Sequence, residues 1–337
     1  MPRTCAVLLL ALAALDTRPA ALTVEVLRSV GGLPPHIVGL FEEPLSFQQA
    51  PGGAYYVFDR RGHTVYGVDA AQTAATKLVE IGPETGRIIQ PRGFDTSPAG
   101  PFVVADAPRG IERVQIFGDT GTRLGGFALP VRGRSAAIAL GALVLSGIGS
   151  IQYGSDGLLI SHPESGALIT EYSTAGRARR SIGRLRATGH EQDPDLHLAL
   201  NVGLPLLDPA GGYFYVFLGG RPMFHKYDGA GRLLFERHIE GPEIDTYLAT
   251  LPSRWPTRRV EDRELPLVTP AIRAAAVDGR GQLWVSLIEP YTYVYDAQGD
   301  KVRSVQFRAA GVISPTSLFF SRDGRLLVTP GCYEFRP

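Results

Sequence analysis

Three arginines stand at comparable places along this chain, each close to the start of a short apolar stretch: Arg92, Arg134 and Arg273. Glu43 and Asn201 hold comparable places near two other stretches. A guanidinium group binds a carboxylate or a phosphate through two parallel hydrogen bonds. If these side chains converge, they form a site for a carboxylate, a phosphate or a sugar acid. The alternative is that each arginine pairs with a nearby acid or carbonyl and holds neighbouring elements together.

A second candidate surface lies in residues 242–269, which combine Trp255 with Arg258, Arg259 and several acids. Tryptophan and arginine are enriched at the centres of protein interfaces. The segment begins with Pro242 and then has apolar residues at helical spacing, so we expect a short helix there. The segment is predicted to form either a lid or docking surface, or an ordered cap packed on the rest of the fold.

A hairpin pattern that occurs five times predicts the elements that position these residues. Each copy has a short apolar strand, a polar turn that usually ends in glycine, and a second strand with alternating polarity. The copies read VYGVDAAQTAATKLVEI from Val65, QIFGDTGTRLGGFAL from Gln115, LISHPESGALITEYS from Leu159, HKYDGAGRLLFERHI from His225 and YVYDAQGDKVRSVQF from Tyr293. Repeats of roughly 40 to 50 residues built from short strands are typical of a β-propeller.

We interpret the five hairpins as strands c and d of five blades, with strands a and b just before each hairpin. For the third blade these are Ser135–Leu140 and Ala142–Ser146. Only three strands follow the fifth hairpin, so Leu22–Val30 is expected to become strand d of a sixth blade, which closes the ring and removes an exposed sheet edge. The sequence thus predicts an all-β fold: one six-bladed β-propeller of four-stranded antiparallel blades over residues 22–337. The arginines then lie at the mouth of the central channel.

The first blade, Gly53-Ala-Tyr-Tyr-Val-Phe-Asp-Arg-Arg-Gly-His-Thr-Val-Tyr-Gly-Val-Asp69, resembles an NHL repeat: an apolar strand, an Asp, a short turn with His and a second Val-rich strand. The fifth blade, Val277-Asp-Gly-Arg-Gly-Gln-Leu-Trp-Val, is similar to the signature of NHL and gluconolactonase-like propellers of the TolB-like group. The resemblance covers nearly all of the chain after residue 21. It implies the fold strongly and the activity weakly, because propellers carry many unrelated functions.

The resemblance to gluconolactonase-like propellers also implies a divalent metal held by a Glu of an E-G-P motif, by Asn residues and by the Asp of a P-D-G motif. Carboxylate and amide oxygens suit Ca²⁺. Here Glu42 and Asn201 match two of those ligands, but Arg273 stands where the P-D-G Asp should fall, and a cation there repels a metal. Asn201 is also the only Asn in the chain. We therefore expect no metal and no cofactor, with Ca²⁺ at Glu42 and Asn201 as the alternative.

Bulk properties limit the compartment and the partners. The net charge is +1, which gives no general reason to expect nucleic acid. The arginine-rich stretch 177–186 is interpreted as an exposed charged loop without interleaved aromatic residues. A charged start, a short apolar run and small residues before Leu22 predict a signal peptide over residues 1–21, hence a secreted or periplasmic protein. That run and the apolar run 136–149 are too short to span a membrane.

No nucleophile–base pair and no paired-acid motif stands out in the sequence. We therefore expect a secreted, non-catalytic propeller that binds a small anionic ligand or a protein partner at the channel mouth. The alternative is a metal-dependent, lactonase-like hydrolase with an altered site.

Overall fold

The computed structural model describes residues 23–129, 137–140, 143–146, 148–260 and 262–337, with the backbone alone for 137–140 and 143–146. The predicted signal peptide and Arg134 lie outside the described residues. None of the described helices is long and apolar enough to cross a bilayer.

The first half of the chain forms the N-terminal segment and three blades. The elements in chain order are β1 (Val24–Arg28), β2 (Gly31–Gly32) and α1 (Pro35–Val38); blade 1 with β3 (Pro44–Gln49), β4 (Tyr55–Asp59), β5 (Thr64–Val68) and β6 (Ala75–Val79); blade 2 with β7 (Gly93–Thr96), β8 (Phe102–Asp106), β9 (Arg113–Phe117) and β10 (Arg123–Ala128); β11 (Ala137–Leu140) and β12 (Leu143–Ser146); and blade 3 with β13 (Ser150–Tyr153), β14 (Leu158–Ser161), β15 (Ala167–Tyr172) and β16 (Ala178–Arg184).

The second half forms three further blades and two connecting helices. These elements are α2 (Pro194–Leu200); blade 4 with β17 (Gly203–Leu207), β18 (Tyr213–Phe217), β19 (Met223–Tyr227) and β20 (Leu233–His238); α3 (Pro242–Ala249), β21 (Thr257–Val260) and β22 (Arg263–Val268); blade 5 with β23 (Ile272–Val277), β24 (Leu283–Leu287), β25 (Thr292–Tyr295) and β26 (Lys301–Arg308); β27 (Val312–Ile313); and blade 6 with β28 (Ser317–Phe320), β29 (Leu326–Thr329), β30 (Tyr333–Phe335) and β2.

The predicted fold is therefore confirmed: six four-stranded antiparallel blades stand in a ring. Six apolar clusters hold the ring, and each lies between two successive blades, including blades 6 and 1. Successive side chains of a strand point to opposite faces of its sheet. In β4, Tyr55 and Val57 accordingly pack towards blade 6, whereas Tyr56 and Phe58 pack towards blade 2. This double burial explains why the middle strands read as continuous apolar runs.

The polar turns between strands follow from a repeated Asp-x-x-Gly pattern. Oδ1 of Asp278 accepts hydrogen bonds from the backbone N–H groups of Arg280 and Gln282, both at 2.9 Å. Gly281 then takes a φ of 78°, the left-handed conformation that glycine adopts without strain. The turn at Asp296 is built in the same way, with Gly299 at a φ of 83°.

The N-terminal segment joins two blades, and this corrects one detail of the predicted ring closure. The predicted strand Leu22–Val30 is not strand d of blade 6, because β1 runs parallel to β26 at the outer edge of blade 5. Only the two glycines of β2 pair with β30 and complete blade 6. A two-residue strand without side chains beyond hydrogen carries no apolar pattern that a sequence analysis could detect.

Blade 3 was predicted with the wrong inner strands. Its strands a and b are β13 and β14, so the hairpin from Leu159 forms strands b and c. The predicted strands Ser135–Leu140 and Ala142–Ser146 correspond instead to β11 and β12, and β11 pairs in parallel with β22. The four strands β12-β11-β22-β21 form an additional sheet, the cover sheet, outside the blades.

The predicted short helix after Pro242 is confirmed as α3. The arginine-rich stretch was wrongly interpreted as a loop, because Ala178–Arg184 is β16, the outer strand of blade 3. Within it, Arg180 donates to Glu171 at 2.7 Å, which ties it to the neighbouring strand. Arg186, just after it, is partly buried and donates to the carbonyl oxygens of Leu200 and Gly219 at 2.8 and 2.9 Å.

Candidate functional site in the central channel

The innermost strand of each blade borders one continuous cavity of about 1350 Å³ on the ring axis. We call the end where these strands begin the entrance, near Pro44, Gly93, Ser150, Gly203, Ile272 and Ser317. The other end, where they finish, is the exit, near Gln49, Thr96, Tyr153, Leu207, Val277 and Phe320. The cover sheet belongs to connections that leave and re-enter the blades at the entrance, and its residues Val260, Arg263 and Leu265 border the cavity.

Cationic side chains outnumber anionic ones along this cavity. Among the described residues that border it, seven are arginines and two are carboxylates: Arg60, Arg61, Arg92, Arg109, Arg263, Arg273 and Arg322, with Glu43 and Asp95. The structure thus brings three of the five predicted channel residues, Arg92, Arg273 and Glu43, to one cavity. Arg134 lies outside the described residues, and Asn201 is not on the cavity wall.

Arg273 sits at an irregularity of the innermost strand of blade 5. Ile272 pairs with Leu287 and Ala274 pairs with Ser286, so Arg273 is an extra residue in the ladder, a β-bulge. Bulges redirect side chains and are frequent beside functional sites. Arg273 is exposed, and its Nε donates to the carbonyl oxygen of Ile288 at 3.2 Å. No described residue accepts a hydrogen bond from its two terminal amino groups, which are therefore available to a ligand.

Other arginines of the cavity are engaged with the protein. Arg60 forms a salt bridge with Glu43, with a second contact of 3.3 Å from Nε. Arg263 donates to both carboxylate oxygens of Asp195 at 3.1 and 3.0 Å, which ties the cover sheet to α2. Arg322 donates across the exit to the carbonyl oxygen of Pro98. Arg60, Arg263 and Arg322 are thus engaged in contacts within the protein.

Asp95 is a cavity residue that the sequence analysis missed. It lies in β7 between Phe94 and Thr96, partly exposed to the cavity. Its oxygens accept hydrogen bonds from Gln48 Nε2 at 3.0 Å and from the backbone N–H of Tyr153 at 2.6 Å. Burial nevertheless dominates and raises the pKa of Asp95 from 3.8 to about 6. The only available signal was a lone acid in an apolar strand, at the position that holds a glutamine in blades 1 and 3.

A second group of ionisable residues lies behind Arg92, between blades 2 and 3. Burial raises the pKa of Glu112 to about 7, although the charges of His162 and Arg92 and a hydrogen bond from the Ile148 N–H oppose this shift. Burial lowers the pKa of the Arg92 guanidinium, and Glu112 partly offsets that effect. His162 Nε2 lies 3.3 Å from Glu164 Oε2. Glu112, His162 and Glu164 do not border the cavity, so of this group only Arg92 can meet a ligand there.

The two residues of the alternative metal site do not fit a metal. Asn201 is fully buried, and its Oδ1 accepts from the Arg186 N–H at 2.9 Å while its Nδ2 donates to the carbonyl oxygens of His197 and Arg186. Its amide is thus committed to the backbone that links blade 3 to α2. Glu42 is exposed, 3.7 Å from Arg61, and is not part of the cavity wall. Arg273 stands at the cavity where the metal motif would place a carboxylate.

The predicted interaction residues lie on the connection that carries the cover sheet. Trp255 is partly buried against the apolar cluster between blades 4 and 5. Arg258 and Arg259 are exposed on β21, opposite Leu265 and Glu264 of β22. Trp255 therefore fixes the connection to the ring, and the two arginines are exposed on opposite faces of β21.

No family model and no curated protein matches the sequence. Among solved structures, a catalytically inactive virginiamycin B lyase from Staphylococcus aureus with quinupristin is 11% identical, with a TM-score of 0.50 over 85% of this chain and 77% of that one. A streptogramin B lyase is 12% identical, with a TM-score of 0.48 over 87% and 92%. Hydrazine synthase from Kuenenia stuttgartiensis is 13% identical, with a TM-score of 0.49 over 86% and 92%. At 11% identity the likeness to the Staphylococcus aureus lyase shows the fold alone.

Proposed function

We propose that this protein is a non-catalytic binding protein that holds a small organic anion in its central channel. The observation that carries the proposal is the excess of arginines over carboxylates around one cavity of about 1350 Å³. Small-molecule sites typically have volumes of roughly 300 to 1,000 Å³, so a ligand of that kind fits inside this cavity. A cavity with low-dielectric walls strengthens the attraction between its cations and an anion.

Arg273 is the side chain that we expect to meet the ligand first. It is exposed at the entrance, the bulge redirects it, and its terminal amino groups have no acceptor among the described residues. Two parallel N–H donors match the two oxygens of a carboxylate. Arg92, whose charge is partly balanced by Glu112, adds a second cationic group on the opposite side of the ring.

The proposal is tested with anilinonaphthalene sulfonate as a fluorescent anionic probe and octanoate as its competitor. Arg273→Glu should weaken probe binding by roughly tenfold or more, because the charge that attracts the anion becomes one that repels it. Arg184→Glu, an exposed arginine of the outer strand β16, is the matched control and should bind as the parent does. Circular dichroism confirms that both variants are folded. Equal binding by Arg273→Glu and the parent would refute the proposal.

The runner-up, a metal-dependent lactonase-like hydrolase, receives no support from the committed amide of Asn201 or from Arg273 at the cavity. We propose no reaction for this site. Kinship with NHL-like propellers remains a proposal that the blade 1 and blade 5 motifs support.

We further propose that the protein is secreted or periplasmic, on the strength of the signal-like residues 1–21. N-terminal sequencing of the protein recovered outside the cytoplasm should find a start near Leu22. Recovery of the chain with Met1 intact from the cytoplasm alone would contradict this proposal.

A further inference from the structure

The innermost strands present backbone amides to the channel, and the strand register identifies which ones. In every blade the residue after the innermost strand donates its N–H to the second strand, as Ala50 does to Ala54 and Asp278 does to Gln282. Hydrogen bonding to the second strand alternates along the innermost strand. The last residue of the innermost strand therefore directs its N–H away from the second strand and into the channel. The six groups at this level form the inner amide ring: the N–H groups of Gln49, Thr96, Tyr153, Leu207, Val277 and Phe320.

Three members of the inner amide ring receive an acceptor from the blade before them. Gln48 Oε1 accepts from Thr96 N at 2.9 Å, Asp95 Oδ2 accepts from Tyr153 N at 2.6 Å, and Gln152 Oε1 accepts from Leu207 N at 2.5 Å. Each acceptor precedes the ring residue of its own blade by one position. One side chain thus reaches from each of blades 1, 2 and 3 to the next blade.

The other three members lack such an acceptor. The equivalent positions of blades 4, 5 and 6 are Leu206, Ala276 and Phe319, which have no acceptor atom. In the part of the chain that the structure describes, nothing else accepts from the N–H groups of Val277, Phe320 and Gln49. These groups belong to three adjacent blades, and their residues border the cavity. Backbone amides of this kind bind carboxylate or carbonyl oxygens well.

Arg322 adds a full positive charge at the same end. It follows β28 in the turn of blade 6, borders the cavity, and reaches the carbonyl oxygen of Pro98 on blade 2. The exit therefore has a cation and three amides without acceptors at the same end of the cavity, and both favour a negatively charged group.

The entrance has its own cation on the same side of the ring. Arg273 is the second residue of β23 and lies four residues before Val277 at the end of that strand, so the two levels lie about 13 Å apart. Between them the wall of blades 4 to 6 is mainly apolar: Leu206, Ala274, Ala276 and Leu318 border the cavity, and the hydroxyls of Thr316 and Ser317 beside them are paired with Thr329. A sugar acid with many hydroxyl groups would find few partners on this wall, whereas methylene groups bury apolar surface there.

We infer that the channel binds a linear dicarboxylate. One carboxylate lies at Arg273, the apolar chain follows blades 4 to 6, and the second carboxylate lies at Arg322 and the three members of the inner amide ring that have no acceptor. This inference rests on the proposed function and specifies its ligand class. Gln48, Asp95 and Gln152 fill the other half of the ring, so the ligand enters on the side where the chain supplies no acceptor of its own.

The experiment is calorimetric titration of the full mature chain with succinate, adipate, suberate and sebacate, and with the matched monocarboxylates hexanoate and octanoate. Suberate and sebacate should bind roughly tenfold more tightly than octanoate, because both ends are held, whereas succinate is too short to span the two levels. Arg322→Gln should reduce diacid affinity to that of the monoacid and leave octanoate binding unchanged. Arg273→Gln should weaken both. Arg184→Gln, on the outer strand β16, is the control.

The outcomes separate this inference from the proposed function. If octanoate binds as tightly as suberate and Arg322→Gln changes neither, the dicarboxylate inference is overturned while anion binding at Arg273 stands. If none of the acids binds, the proposed function fails together with the inference. The fluorescence of Trp284 gives an independent readout, because its ring lies 5.5 Å from that of Phe320. The Phe320 N–H is one of the three members of the inner amide ring without an acceptor. A diacid should change the fluorescence of Trp284 and octanoate should not.

Discussion

Asp95 combines two roles in a single carboxylate. It caps the Tyr153 N–H and so joins blade 2 to blade 3, and it borders the cavity that we propose for an anion. Its raised pKa follows from burial without a cationic partner close enough to offset it. Protonation removes a negative charge from the cavity wall, so anions should bind more tightly below about pH 6 than above it.

The same pKa makes the stability of the fold depend on pH. Between about pH 4 and pH 6 the folded protein retains a proton on Asp95 that the unfolded chain has released, so the free energy of unfolding falls as pH rises through this window. Glu112, with a pKa raised to about 7, extends the fall to higher pH. In Asp95→Asn the free energy of unfolding should therefore decrease less between about pH 4 and pH 6. The decrease due to Glu112 at higher pH should remain.

The measurement is the urea unfolding free energy at several pH values. Asp156→Asn, an exposed turn residue, is the control and should follow the parent. An Asp95→Asn profile that matches the parent profile would show that Asp95 titrates normally.

At this scale the sequence could predict that Arg92 and Arg273 reach one channel, because the repeat places them at the start of equivalent strands. It could not predict which arginines are engaged. The partners of Arg263 and Arg322, Asp195 and Pro98, lie in other blades or connections, and no local pattern joins them.

The cover sheet shows how local patterns mislead at the scale of elements. The apolar runs of β11 and β12 have the length and composition of inner blade strands, and they directly precede blade 3. They belong to the cover sheet and not to blade 3, because β11 pairs with β22, more than a hundred residues later. Strand propensity is a property of a segment, whereas strand pairing is decided by burial against the whole fold.

Arg263 and Asp195 tie the cover sheet to α2, and this contact provides a test. Asp195→Asn removes the charge of the pair and should loosen β21 and β22 without unfolding the ring, because the blades have their own apolar clusters. Hydrogen exchange measured by mass spectrometry should be several-fold faster in peptides over 257–268. Peptides of blade 6 are the internal reference and should be unchanged. Unaltered exchange over 257–268 would mean that apolar packing alone holds the sheet.

The outer strand β16 presents a sheet edge, since no described strand pairs with it on the side away from β15. Arg179 and Arg184 are exposed on this strand, and charged side chains on edge strands prevent edge-to-edge association. This role accounts for the charge-rich stretch without requiring a binding partner. The arginine composition of this stretch was visible in the sequence, but its role depends on its place at the edge of a blade.

At the scale of the whole molecule, the ring depends on the junction of blades 6 and 1. Glu334 is buried there, accepts from the Tyr55 hydroxyl at 2.8 Å and pairs with Arg325 at 2.5 Å. The six-bladed ring itself could be predicted from the repeat, because each of the five hairpins marks one blade and the three strands after the fifth hairpin mark a sixth. This junction could not, because it joins residues that are 279 positions apart.

Glu334→Ala should lower the free energy of unfolding by about 2 to 3 kcal/mol, because it leaves the Tyr55 hydroxyl without an acceptor and Arg325 without its buried partner. Glu25→Ala breaks the exposed pair with Arg303 and should cost less than about 1 kcal/mol. Urea denaturation followed by circular dichroism compares the two variants. Equal losses would mean that the junction adds nothing beyond an ordinary surface ion pair.

The pairing of β2 with β30 also determines the order of events when the chain folds. Blades 1 to 5 can assemble from neighbouring segments as the chain emerges, but blade 6 has to wait for its fourth strand to meet β30 across the full length of the ring. Cys332 is fully buried at this junction among Leu33, Ile37 and Phe47, and burial raises the pKa of its thiol to about 12. Its sulfur therefore reacts with a thiol reagent only while the two ends of the ring are apart. The rate at which Cys332 becomes unreactive during refolding thus times the last step of assembly.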